Sequence, residues 1–232
     1  MATSQDPPFE PLPDSATWFE SGPEMIAMDR SLATLIVRLG MASNALTSQQ
    51  KAGVDAATGS QAERYRGLIA SMVTSAALTN EAIRLASKNL RTLRGLAEAV
   101  DMRQELLESV GRLCAGKHSA SATLKRARNQ IAFHWDADIV DSALSSFTRN
   151  EKLVWLEFAK DGQPVHRLAT DVVVHALLPH LSNVPDEATT KRLVQESLAD
   201  IGDAMGQITE FFAGCIYGYF MRAGGSIVRR TR

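Results

Sequence analysis

The chain has 232 residues, 15 Gly, 8 Pro and a hydrophobic content of 45%, which excludes collagen-like, fibrous and largely disordered polypeptides. A polypeptide of this length buries roughly 70% or more of its unfolded surface, so it needs neither a disulfide framework nor a metal to hold a core. The net charge of −1 argues against indiscriminate nucleic-acid binding through a globally basic surface.

Cys114 and Cys215 are the two cysteines, a usage that fits a reducing compartment. The longest mostly apolar run, Phe211 to Met221, has 11 residues, about half of the ~20 that cross a bilayer, so no membrane span is predicted. The sequence opens without the basic and apolar regions of a secretory signal. The expectation is a cytoplasmic protein.

Five prolines, at 7, 8, 11, 13 and 23, crowd the first 23 residues and predict a flexible or extended tail over 1–22. Ser21-Gly-Pro-Glu24 has the form of a capping box with proline inside it. Met25, Met28, Leu32, Leu35, Leu39, Ala42 and Leu46 follow at alternating intervals of three and four, which predicts a helix over about 23–47. A second capping box, Ser60-Gln-Ala-Glu63, opens a long helix carrying Tyr65, Ile69, Met72, Ala76, Ile83 and Ala86 and continuing near Leu90. Asp101 with Gln104 starts a third helix, which Gly116 ends. Ser119 or Ser121 starts a fourth, over 121–134, and Asp138 caps a short helix through Phe147.

Beyond these the hydrophobic period changes. Leu153-Val-Trp-Leu-Glu-Phe158 is aromatic and partly β-branched, and Lys160-Asp-Gly-Gln163 is turn chemistry, so a hairpin with strands near 152–158 and 164–168 is predicted. Val194, Leu198, Ile201, Met205, Ile208, Phe212, Cys215 and Tyr219 then repeat with steps of four and three. That predicts a helix of some 35 residues from Asp186, packed along its length inside the bundle or against a second copy. The expected fold is all-α: an up-and-down helical bundle of long antiparallel helices with a small β-hairpin insertion. The domain would span 23–224, followed by a basic tail at 225–232.

Charge is unevenly spread. No acidic residue stands between Glu108 and Asp136, a stretch holding Arg112, Lys117, Lys125, Arg126 and Arg128. A second acid-free gap, between Glu81 and Glu98, holds Arg84, Lys88, Arg91 and Arg94. Such runs are either solvated helix faces or one local region that attracts phosphate. Gly-rich phosphate loops, Cys-x-x-Cys, His-Glu-x-x-His and Gly-x-Ser-x-Gly are absent from the sequence. Asp136 and Asp138 near His134 are read as a helix start rather than metal ligands. His175 and His180 point about 140° apart on a helix, a poor fit to one metal. No metal site and no cofactor are expected.

Arg128-Asn-Gln-Ile-Ala-Phe-His134 remains. An Arg followed by a polar residue, with a His after a short spacer, resembles the active-site motif of the HEPN superfamily of α-helical proteins, many of them RNA-cutting toxins. Chance alone gives about one bare Arg-to-His match in such a sequence, and requiring Asn, Asp or His after the Arg lowers that about tenfold. A second bare match, Arg112 to His118, fails that requirement because Leu113 follows the Arg. On a straight helix Arg128 and His134 flank the stripe Leu124, Ala127, Ile131 and Trp135, about 120° apart. Two copies packed across this face would unite them, as the resemblance implies for an RNase site at a homodimer interface.

The resemblance implies a metal-independent endoribonuclease with RNA as substrate and a cognate antitoxin as a further partner, in a toxin–antitoxin or phage-defence setting. His134 is the expected general acid or base, Arg128 the phosphate clamp and Asn129 the orienting group. Lys117, Lys125 and Arg126 are expected to position RNA. The alternatives are a catalytically inactive HEPN-like dimeric binding or scaffold protein, and a helical interaction protein. In a purely structural reading Arg128 pairs with a carboxylate such as Glu108 or Asp136.

Overall fold

Asp29 caps the first described helix. Its carboxylate accepts the Leu32 N–H at 3.0 Å and its carbonyl accepts the Ala33 N–H at 2.9 Å, the two bonds expected of an N-cap residue. The computed structural model describes residues 15–18, 29–55, 61–131, 138, 142, 145, 157–158, 164–165, 167–178, 187–222 and 226–229. Helix α1 is Arg30–Asp55 and α2 is Gln61–Glu98. Helix α1 therefore starts after Asp29 and runs eight residues beyond the predicted end at 47. The two capping serines, Ser21 and Ser60, lie outside the described residues.

Helix α3 is Gln104–Cys114. Asp101 is not its cap: it sits at φ 51° in the turn that leaves α2, where its N–H reaches the Glu98 carbonyl. Gly116, at φ 69°, ends the helix as predicted. Its N–H bonds the Leu113 carbonyl at 3.0 Å and the Lys117 N–H bonds the Arg112 carbonyl at 2.8 Å, the paired closure that a left-handed glycine permits. Helix α4, Ser121–Arg126, runs directly into a π-helical turn, Ala127–Ile131, so the uniform α-helix predicted over 121–134 is corrected as far as Ile131; 132–134 lie outside the described residues. Asp138, Ser142 and Ser145 are helical and exposed; the rest of the predicted 138–147 helix lies outside the described residues.

Strands β2 (Glu157–Phe158) and β3 (Pro164–Val165) pair antiparallel, Glu157 opposite Val165. The second predicted strand reaches only Val165, because helix α5, Arg167–Leu177, begins just beyond it. Its Asp171-Val-Val-Val174 run has poor intrinsic helix propensity. Tertiary contacts overrule that propensity: Val172, Val174, Ala176 and Leu177 are buried. Tyr65 on α2 also donates to the Asp171 carboxylate at 2.9 Å. The last helix, α6, is Glu187–Arg222. Strands β1 (Ser15–Trp18) and β4 (Ser226–Arg229) pair antiparallel, so part of each predicted tail carries strand structure. Thr17-Trp18 and Ile227-Val228 are good strand formers, a local signal that the crowding of prolines obscures.

Among the described residues the fold is all-α apart from these short pairings. Helices α1, α2 and α6 pack on one another around Leu39, Leu46, Met72, Ala76, Leu93, Leu96, Ile208, Phe211, Phe212 and Tyr219, all buried. The predicted stripe of α6 is buried from Ile201 to Tyr219 and partly buried at Val194 and Leu198. At Gly218 the α6 backbone lies against the Leu96 carbonyl group of α2: a Cβ there would fall on its oxygen and lie 3.0 Å from its carbon. No described helix is long and apolar enough to cross a membrane.

Candidate functional site

Leu124 and Ala127, exposed by 1% and 0%, seat α4 and the π turn against α2. That leaves Arg128 partly exposed and Asn129 exposed at the surface. Arg128 donates through Nε to Glu81 Oε1 at 2.6 Å and through Nη1 to Asn129 Oδ1 at 3.0 Å. Arg84, one turn beyond Glu81 on α2, donates through Nη1 to the same Glu81 oxygen at 3.1 Å. Two guanidinium groups from different elements thus meet one anionic oxygen. The carboxylate that pairs with Arg128 is Glu81 rather than Glu108, which instead accepts a hydrogen bond from Gln104 at 3.0 Å. Sequence reasoning missed Glu81, although it is the acid that opens the cationic run of α2.

The π turn matters to this geometry. Its i→i+5 bonding widens the helix, so the 100°-per-residue wheel that sets Arg128 and His134 about 120° apart does not apply across it. His134, Trp135 and Asp136 lie outside the described residues. Of the residues expected to position RNA, Lys117 and Lys125 are exposed. Arg126 is half-buried and donates through Nη1 to the Leu177 carbonyl at 3.3 Å, satisfying an acceptor at the C-terminus of α5.

The second bare match is linked internally. Arg112 donates to Ser109 Oγ at 3.2 Å, Ser109 to Gln207 Oε1 at 2.6 Å, and Gln207 Nε2 to Asp203 Oδ2 at 2.7 Å. The same carboxylate oxygen lies 3.3 Å from His118 Nε2. On the other side of the ring, His118 Nδ1 accepts the Ala120 N–H at 3.1 Å. With Nδ1 an acceptor and Nε2–H directed at Asp203, both ring nitrogens are engaged and none has a lone pair free for a substrate proton. His118 is a clamp for the joint between α3 and α4, tied to α6.

On α2 the cations Arg84, Lys88 and Arg91 are exposed and fall, with Glu81, within about 80° of one helix face. Further along the helix a groove of about 550 Å³ is lined by Leu90, Arg91, Arg94, Gly95 and Glu98. It begins roughly 14 Å beyond Glu81 and is centred about 20 Å from it, at 1.5 Å per residue. Cys114 and Cys215 are free thiols. Cys215 is buried, donates to the Leu93 carbonyl at 3.3 Å, and burial pushes its pKa up to about 12, which makes it inert at neutral pH. Among the described residues no group of three or more His, Cys, Asp or Glu side chains is placed to hold a metal. Comparison with protein-family models, with curated proteins and with solved structures finds no match.

Proposed function

We propose that this chain is a metal-independent endoribonuclease of the HEPN type, working as a homodimer in a toxin–antitoxin or phage-defence setting. The arrangement of helices is read as an up-and-down bundle with the 152–168 hairpin as an insertion. The observation that carries the reading is Arg128 on its π turn, hydrogen-bonded to the neighbouring Asn129 and facing an anionic oxygen at the surface. Single-turn π segments inside α-helices are frequent at functional sites, and a guanidinium that already holds one oxyanion is suited to a phosphorane. Val37 and Met41 on α1, and Tyr217 and Met221 on α6, are exposed apolar side chains that a second copy would cover.

RNA brings its own nucleophile. The 2′-oxygen bonds to phosphorus as the P–O5′ bond breaks; His134 takes the 2′-hydroxyl proton, and the second subunit's imidazolium gives one to the departing 5′-oxygen. Arg128 holds the non-bridging oxygens. The products are 2′,3′-cyclic phosphate and 5′-hydroxyl ends. Purified protein incubated with total RNA in EDTA should cut it, and His134→Ala and Arg128→Ala should not cut while melting as the parent does. Cleavage that persists in His134→Ala, or that stops with chelator, rejects this mechanism.

The 2.6 Å Arg128–Glu81 contact favours a second reading, a catalytically inactive HEPN-like dimeric scaffold in which the guanidinium serves structure. It requires the same assembly and no turnover in the same assay.

A further inference from the structure

We infer that Arg84 and Arg128 form a binding site for an RNA backbone phosphate in which Glu81 is the built-in occupant, and that Lys88 and Arg91 extend the site along α2. The inference rests on the ribonuclease reading for its ligand. Its geometry stands on the convergence of Arg128 Nε and Arg84 Nη1 on Glu81 Oε1, at 2.6 and 3.1 Å. A carboxylate oxygen and a non-bridging phosphate oxygen make the same demand on a guanidinium: a full or partial negative charge and in-plane acceptors. Glu81 Oε1 therefore marks where a phosphate oxygen sits when RNA is bound.

Displacement of Glu81 is feasible. Its side chain and that of Arg84 are each 47% exposed, and that of Arg128 is 35% exposed, so solvent screens these pairs and holds them weakly. A carboxylate that swings into water gives up little and regains hydration. The phosphate that replaces it keeps both guanidinium contacts. Beyond Arg84, the exposed Lys88 and Arg91 continue the same face for about 10 Å of helix rise, a direction in which the strand can run away from the scissile position. Glu81 thus lowers affinity for RNA at rest and excludes stray anions from Arg128.

The test uses the 232-residue chain and a fluorescein-labelled, fully 2′-O-methylated RNA oligonucleotide, which has no free 2′-hydroxyl and cannot be cut. Anisotropy is measured between 50 and 200 mM KCl. Glu81→Gln should tighten binding about three- to tenfold, because an exposed competing ion pair and a repulsive charge are both removed. Arg84→Gln should weaken binding. Lys88→Gln and Arg91→Gln should each reduce the slope of log affinity against log salt by about 0.7, the loss of one single-strand phosphate contact. Glu81→Gln binding that is unchanged or weaker, or Lys88→Gln and Arg91→Gln with the parental salt slope, overturns the inference. Unmodified RNA, tested in parallel, separates the two ideas: tighter binding by Glu81→Gln with no cleavage by the parent protein sinks the ribonuclease and keeps the phosphate site.

Discussion

Glycines on one helix offer a test of how α2 and α6 fit together. Replacing Gly by Ala in a helix interior gains about 1 kcal/mol in propensity wherever space is open. Gly206 has nothing within 4 Å of an added Cβ, so Gly206→Ala should stabilise by about that amount. At Gly218 the new methyl would overlap the Leu96 carbonyl oxygen and approach its carbon to 3.0 Å. That obstacle is backbone, which no rotamer change relieves, so overpacking should cost about 3 kcal/mol, the upper part of the usual range. The net loss is about 2 kcal/mol, or roughly 4–8 °C in melting temperature for a chain of this size. At Gly214 the added atom meets only the end of the Met102 side chain, its terminal methyl and, at 3.7 Å, its sulfur; this unbranched side chain is able to turn aside, and the result should fall between the other two. Urea denaturation of the three single variants, read as midpoint shifts at constant slope, provides the comparison. Gly218→Ala as stable as Gly206→Ala would show that the helices are not in contact where the structure puts them.

Alkaline stability should report Cys215. Its thiol keeps its proton in the folded state up to about pH 12 but loses it near 8.5–9 when unfolded. The stability it contributes is complete below about pH 9 and declines as pH rises toward 12, by about 2 kcal/mol at pH 10.5. Cys215→Ala should show a shallower decline between pH 8 and 10.5 in urea melts; an equal decline assigns the pH effect to other groups. Asp29→Ala should cost about 1 kcal/mol through loss of the α1 cap, and an unchanged melt would remove Asp29 from that role. His118→Ala leaves the buried joint with an unpaired Ala120 N–H and should cost about 1–3 kcal/mol. Its RNA cleavage per folded molecule should match the parent, since both ring nitrogens already serve the fold; lost cleavage with an unchanged melt would contradict that assignment.

Long periodic elements were legible in the sequence. The stripe of α6 from Ile201 to Tyr219 is buried as its spacing predicts, and Gly116 stops α3 by the backbone conformation glycine favours. Helix α5 was not legible, because a β-branched run such as Val172-Val-Val174 reads locally as strand and is made helical by packing. The Asp101 start failed for a related reason: Asp suits turns as well as caps, and here it occupies a left-handed turn. At the candidate site, Arg128 and Asn129 were visible as a motif, whereas Glu81 was not. Glu81 and Arg128 are 47 positions apart, and no local pattern links residues that only tertiary packing brings together. The π turn was equally hidden, since a spacing argument assumes 3.6 residues per turn before the backbone is seen.

The His118 clamp has a consequence for how the molecule breathes. The Ala120 amide is held by a ring that is itself held by Asp203, and Asp203 sits on α6 beside Gln207 and through it Ser109. Exchange of that amide with deuterated solvent requires His118 Nδ1 to release it, a motion that the anchoring of the same ring on Asp203 opposes. The segment leading to Arg128 should then open in step with α3 and α6 as one cooperative unit, rather than fray by itself as a short six-residue helix would in isolation.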